Sequence, residues 1–418
     1  MSACGEVSAP CSAQQPSSCC ADTTGRDAER PAAVAWFDSM IEHCLEYARA
    51  AHEQGRPIVG IMCEFTPREL IFAAGAVPVC LCGGSAATIP VAEEDLPVLL
   101  CPLIKSTYGY HIQKSNPFLE MAALIVAENT CDGKKKMYEL MSAERPMYVL
   151  ELPKRQGDRH ALRYWEDEIR RFIKELETRF STTITNDRLR QAVQLMNRER
   201  GLRRQLAALM QADCPPLTGR QLLNLKSSIS GIPEDLEHYE AALQALEGTT
   251  GPAERANRVR VLMTGVPVVH GTERVVDIIE DSDGLVVCQE TCTGVKPILE
   301  DIDPDAPDLV AALAAKYFHL PCSVMMGNDA RMDSLRHLAR TYRAECVIDL
   351  VWQGCLTYDV EATRVKRFAE DELGLPYMRI QTDYSPADSA RIVVRVQALF
   401  ETIRQGAVPH SACLSSKI

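Results

Sequence analysis

The sequence predicts an α/β protein of two domains, with parallel sheets facing a cleft and a helical connector between them. Three observations carry that prediction. Short apolar runs of strand length alternate with stretches of helical spacing, the pattern of βαβ units. The same order of elements occurs twice, on either side of a long charged segment. At 418 residues the chain exceeds one ordinary core, so two or three domains of about 100 to 200 residues each are expected.

Residues 1–32 are rich in Ser, Ala, Pro and Cys and read as a disordered tail holding Cys4, Cys11, Cys19 and Cys20. The first domain is placed at 33–185. It opens on AVAWFDSMIEHCLEYARAAHEQG, whose apolar residues recur at helical spacing and stop at a glycine. Strand-like runs follow in RPIVGIM, VPVCLC (77–82), ALIVAEN and PMYVLEL (146–152), with helical stretches at 68–75 and 161–180. Residues 186–255 form the connector, two charged helical stretches broken by Pro and Gly near 215–219. The second domain, 256–418, resumes strands in RVRVLMTGV, GLVVCQE, ECVIDLVW and PYMRIQT and ends on an amphipathic helix at 389–406.

The chain is 46% hydrophobic and 24% charged, with a formal charge of -12. That balance argues against nucleic acid or an anionic membrane as partner, since both require basic surface to neutralise phosphates. The first 30 residues lack a basic start and an apolar core, and no apolar run of about 20 residues occurs, so a cytoplasmic protein is expected. Seventeen cysteines in such a chain are then not a disulfide framework. Buried thiols and metal ligands remain. Cys44, Cys80, Cys82, Cys214 and Cys346 fall in apolar or helical patterns and read as packing.

The duplication sorts the rest. Strand ALIVAEN leads to Cys131, a helical segment, then Pro146 and PMYVLEL; strand CVIDLVW leads to Cys355, a helical segment, then Pro376 and PYMRIQT. Cys101 precedes the first unit, Cys322 the second, and Cys63 and Cys292 each follow a strand. Each half thus offers three cysteines past strand ends or at helix starts, where ligands gather in open α/β sheets. Helix N-termini stabilise thiolates and the anionic clusters they hold. The tight CxxC pairs of zinc ribbons and bacterial ferredoxins are absent. Gly133 and Gly294, in the repeated pattern Thr-Cys-x-Gly-x-Lys, and Gly354 before Cys355 permit close backbone approach to such a group. Lys134, Lys135 and Lys136 offset cluster charge or form a solvated helix face. On spacing alone, iron-sulfur ligation competes with buried structural thiols.

The segments CEFTPRELIFAAGAVPVCL (63–81), LLCP (99–102), ENTCDGKKKMYELM (128–141) and VWQGCLTYD (351–359) closely resemble the 2-hydroxyacyl-CoA dehydratase and benzoyl-CoA reductase superfamily, over nearly the whole chain from about residue 34. The resemblance implies two Rossmann-like domains and a 4Fe-4S cluster on three cysteines, which fall on Cys101, Cys131 and Cys355. The surplus of cysteine resembles the double-cubane branch, in which six cysteines hold two cubanes joined by a sulfide (8Fe-9S). Cys63, Cys292 and Cys322 complete that set, with Cys288 as a substitute for Cys63 or Cys292. Such proteins are oxygen-sensitive homodimeric reductases of small unsaturated substrates, fed low-potential electrons by a separate ATP-hydrolysing iron-sulfur protein. The chain has no GxxxxGK[ST] loop of its own. Glu64, Lys105, His319 and Tyr358 are the candidate proton or substrate contacts. Two alternatives stay open: a 2-hydroxyacyl-CoA dehydratase subunit with one 4Fe-4S cluster acting on an acyl-CoA, and a non-catalytic electron carrier or zinc-bound scaffold. No GxSxG elbow suggests hydrolase chemistry.

Overall fold

The structure, a computed structural model, describes residues 31–406. The tail cysteines, and all of the expected tail except residues 31 and 32, lie outside the described residues. All eight strand-like runs form strands. The first sheet holds β1 (Ile58–Ile61), β2 (Val77–Cys80), β3 (Ala122–Glu128) and β4 (Met147–Leu150), in the order β2-β1-β3-β4. The second holds β5 (Val259–Gly265), β6 (Gly284–Glu290), β7 (Cys346–Trp352) and β8 (Tyr377–Thr382), in the order β6-β5-β7-β8. Every pairing between these strands is parallel. The two orders are the same walk, out to one side and back past the first strand, so each sheet has its switch point beside its first strand, where α/β proteins bind ligands.

Burial explains why these strands read as unbroken apolar runs. Every residue of β1, β6 and β7 is buried, as expected where helices cover both faces of a parallel sheet. The edge strand β8 instead alternates and exposes Arg379. Helix Arg159–Phe180, which follows β4, buries Trp165, Ile169, Phe172 and Leu176 along one stripe. Each such side chain stabilises the fold by roughly 1.5–3 kcal/mol.

Helix Asn186–Ala208 starts at Thr185, whose hydroxyl accepts from Arg188 N at 3.3 Å. It touches both halves. Arg200 reaches Glu69 of the first at 2.9 Å and Asp301 of the second at 3.4 Å, and Tyr317 of the second half donates to Glu69 at 2.7 Å. Among the described residues no helix is long and apolar enough to cross a membrane.

Candidate active site

A cavity of about 1120 Å³ opens at the carboxyl ends of the strands, lined by residues of both halves. Eight cysteines line it: the six expected, with Cys80 and Cys82.

Three of them begin helices. Cys101, Cys131 and Cys355 are the N-cap residues of helices Pro102–Gln113, Asp132–Met141 and Leu356–Arg367, and none uses its side chain as the cap. The thiols are therefore free for other work, each beside the positive end of a helix. Cys101 and Cys355 come from different halves, and their thiols are close enough for each to shift the other's titration. The hydrogen bond between them pulls Cys355 down to about 7 against the cost of burial and pushes Cys101 up. Gly354 makes the meeting sterically allowed. Its φ is 78°, and a Cβ there would stand 2.2 Å from Leu99 O and 3.0 Å from Cys101 N.

Cys63, Cys292 and Cys322 form a second group. The hydrogen bond from Cys292 lowers Cys322 to about 5 against burial, with Lys296 helping, and raises Cys292. Cys63 is raised first by burial and then by the charges of Glu128 and Cys322, with Lys134 opposing. Cys63 in turn helps to raise Cys292, so the three thiols are within electrostatic reach of one another.

The structure revises the expected symmetry. Cys63 lies two residues past β1, the first strand of its sheet, whereas Cys292 lies two residues past β6, the second strand of the other. The counterpart of Cys292 is Cys82, two residues past β2, and the counterpart of Cys63 is Pro267. Cys322 sits in the turn between helices Leu309–Phe318 and Asp329–Thr341, not at a helix start. Of the cysteines assigned to packing, Cys44 and Cys346 are fully buried. Cys80 and Cys82 are only half-buried because β2 ends at the cavity. Cys80 Sγ accepts from Arg68 at 3.6 Å, and Cys82 Sγ lies 3.5 Å from Met62 O.

Buried cations face these sulfurs. Lys134 donates to Met62 O at 2.9 Å. Burial works against its charge, yet Tyr138, Cys63, Cys82 and Cys131 hold its pKa well above the ordinary value. Lys296 is 3.1 Å from Glu290, which outweighs burial and keeps it charged beside Cys292 and Cys322. Arg331 holds the other oxygen of Glu290 at 3.2 Å. Tyr358 Oη lies 3.6 Å from Cys322 Sγ and 3.4 Å from Lys296 Nζ, and burial, then the Cys322 charge, keeps its proton on.

Two of the four candidate contacts reach the cavity, Tyr358 and Glu64. Glu64 is buried, which alone would raise its pKa, but Arg68 at 2.7 Å and Lys226 at 2.9 Å hold it well below the usual carboxylate range. It is thus a fixed anion, not a proton donor. Lys105 does not line the cavity; it is turned to Glu93 and to Val98 O, at 2.6 and 2.7 Å. His319 is exposed at the end of helix Leu309–Phe318, its ring against Phe318. Among the glycines, Gly133 and Gly354 line the cavity, but Gly294 does not. A Cβ at Gly294 would meet Gln289 O at 2.0 Å, so that glycine serves a tight turn after β6. Cys288 points into the core from within β6, 1% exposed, and is no substitute for a cavity cysteine.

The sequence reading missed Lys226, which also donates to Cys292 O at 3.1 Å, and Arg331. Both reach the site from elements outside the cysteine motifs, so no local signal marks them. Lys296 closes the TCTGVK repeat and carried one.

Comparison with known proteins agrees with this architecture. The family model described as 2-hydroxyglutaryl-CoA dehydratase, D-component, matches residues 63–403. A putative dehydratase subunit YjiM of Escherichia coli (strain K12) is 38% identical over 84% of this chain and 92% of its own length. The (R)-phenyllactyl-CoA dehydratase beta subunit of Clostridium sporogenes is 21% identical over 88% of this chain and 97% of its own. A benzoyl-CoA reductase subunit of Thauera aromatica is 22% identical over 51% of this chain and 55% of its own. With two parallel sheets of one topology, a shared cysteine-lined cavity and a family match across most of its length, the chain belongs to the 2-hydroxyglutaryl-CoA dehydratase D-component family, within the superfamily that also holds benzoyl-CoA reductase subunits.

Proposed function

We infer that this chain is the cluster-bearing subunit of an oxygen-sensitive reductase. In this reading Cys63, Cys101, Cys131, Cys292, Cys322 and Cys355 hold a double-cubane (8Fe-9S) iron-sulfur centre. The protein is a homodimer, an ATP-hydrolysing iron-sulfur partner supplies low-potential electrons, and a small unsaturated substrate is reduced in the cavity.

One observation carries the reading: two groups of thiols, each drawing on both halves, face a single cavity. The donor set fits the group. Thiolates are the ligands iron-sulfur clusters take, and the cations of Lys134, Lys226 and Lys296 offset the charge of a polythiolate site. Among the described residues, the one group of three ligand atoms gathered within 4.8 Å contains none of the six cysteines, so no three of them are gathered as a single bound ion would require.

Bound there, the group supplies one-electron transfer at low potential. The residues around it do the rest. Gly354 lets the loops carrying Cys101 and Cys355 close on each other. Tyr358 holds a proton at Oη within reach of Cys322 Sγ. Arg68 and Lys226 pin Glu64 as an anion at the wall, which fixes Lys226 beside Cys292.

Counting iron and acid-labile sulfide in anaerobically purified protein tests this reading. About eight irons per chain are expected, since six cysteines serve two cubanes. About four, retained after Cys292→Ala and Cys322→Ala, would overturn the double cubane. That outcome assigns the second reading, a 2-hydroxyacyl-CoA dehydratase subunit with one 4Fe-4S cluster on Cys101, Cys131 and Cys355 and a different family chain as partner. The dehydratase names of the relatives favour it.

A further inference from the structure

Behind one wall of the cavity, apart from the cysteines that line it, lies a different set of metal-ligating atoms. His43 and Cys44 are on helix Met40–Glu53, and Asp235 is in the first turn of helix Pro233–Leu246. One ring nitrogen, one sulfur and one carboxylate oxygen from these residues lie within 4.8 Å of one another, the only such group among the described residues. Cys44 is fully buried and Asp235 is 2% exposed. The His43 side chain is 9% exposed.

The local hydrogen bonding points to a missing occupant. A buried histidine in an ordinary core satisfies its ring nitrogens, because an unmade hydrogen bond there is costly. Nδ1 of His43 has no hydrogen-bond partner, and Nε2 meets only the carboxylate of Asp235, at 3.2 Å from Oδ1 and without hydrogen-bond geometry. The surroundings instead fix both groups in place. Trp36 stacks on the His43 ring at 4.7 Å and donates from Nε1 to Asp235 Oδ1 at 2.9 Å. Ser227 Oγ donates to Asp235 Oδ2. A carboxylate offers about four lone-pair positions, so two such bonds leave room for an ion. Oriented ligands held by outer hydrogen bonds are the usual construction of a metal site.

We propose that His43, Cys44 and Asp235 bind one zinc ion, with water in the fourth position. Thiolate, imidazole and carboxylate together are a zinc donor set. Binding forms bonds from the metal to sulfur, nitrogen and oxygen and releases the Cys44 proton to solvent, with no change of oxidation state. The ion ties helix Met40–Glu53 to helix Pro233–Leu246 and, through Asp235, to Ser227. Ser227 lines the cavity next to Lys226, the residue that holds Glu64 and Cys292 O. The zinc is therefore a buttress for the cavity wall and takes no part in electron transfer.

The test uses the full chain, purified anaerobically from zinc-supplemented cells and desalted. Elemental analysis should give one zinc per chain. Zinc-edge X-ray absorption should give a shell of one sulfur with nitrogen and oxygen. Cys44→Ala and Asp235→Asn should each lose the zinc while any iron present stays unchanged. His43→Gln, at the least buried of the three positions, is the variant to use if the other two fold poorly, and it too should lose the ion. Wild-type protein without zinc after equilibration with excess zinc would refute the proposal. So would a shell of two or more sulfurs, which places the ion among the cavity cysteines, or a folded His43→Gln that keeps its zinc. The zinc readout stands whether or not iron is bound, so its failure is separate from failure of the iron-sulfur reading.

Discussion

The hydroxyl of Tyr358 stands 3.6 Å from the sulfur of Cys322, and both residues are buried. Because burial and the neighbouring thiolate keep the phenol protonated, it acts there as a donor. Hydrogen bonds to ligand sulfurs stabilise the more negative, reduced state of a cluster. On the iron-sulfur reading proposed above, Tyr358→Phe should therefore keep its iron and shift the midpoint potential to more negative values. Loss of about 0.5–1.5 kcal/mol corresponds to on the order of 20 to 60 mV. Redox titration followed by electron paramagnetic resonance measures this, and an unchanged potential would mean that Tyr358 does not hydrogen-bond a cluster-ligating sulfur.

Gly354 carries a different prediction. Its positive φ alone costs a non-glycine residue about 1–3 kcal/mol, and a Cβ would also collide with Leu99 O. Gly374 separates the two effects, having φ 66° but nothing within 4 Å of a Cβ. Gly374→Ala should lower thermal stability and leave iron content alone. Gly354→Ala should lower both, because the loops holding Cys101 and Cys355 are forced apart. Equal iron in the two variants would contradict the role given to Gly354.

How far the sequence disclosed this site follows from which features are local. Strands were legible because helices bury both faces of each sheet, leaving apolar runs such as ALIVAEN and CVIDLVW. Cys101, Cys131 and Cys355 were legible because each sits where a strand or loop gives way to a helix. Strand order was not written in the spacing, so Cys63 and Cys292 looked equivalent although they follow first and second strands. Cys82 looked like packing because VPVCLC is apolar throughout, and only the end of β2 at the cavity shows otherwise. His319 and Lys105 looked available because nothing near them in sequence reveals an exposed helix end or the Glu93 partner.

The joint between the halves should be sensitive at Glu69. This carboxylate is fully buried and bound by Arg200 and Tyr317, and its charge is held against burial chiefly by Arg200. Removing one member of a buried pair leaves the other uncompensated, at a cost of about 3–5 kcal/mol. Glu69→Ala should lower the urea midpoint accordingly. The double variant Glu69→Ala with Arg200→Met should recover part of the loss, since the stranded cation is gone. A double variant as unstable as the sum of the singles would mean the two residues do not interact.

Asp349, in the middle of β7, gives a pH dependence of definite sign. It is 1% exposed, and burial pushes its carboxyl up to about 6 despite Arg331 and the 2.9 Å hydrogen bond from Tyr377. The unfolded chain loses this proton near pH 4, so between about pH 4 and 6 the folded state binds more protons than the unfolded one. Stability from this group therefore falls as pH rises through that window and is constant above it, by roughly 1.4 kcal/mol for each unit by which the two pKa values differ. Asp349→Asn has no proton to lose. Measured by urea unfolding at pH 5 and pH 7, the wild type should lose stability relative to the variant as the pH is raised. A difference that stays flat, or that runs the other way, would mean that Asp349 is charged in the fold throughout, with Arg331 and Tyr377 outweighing its burial.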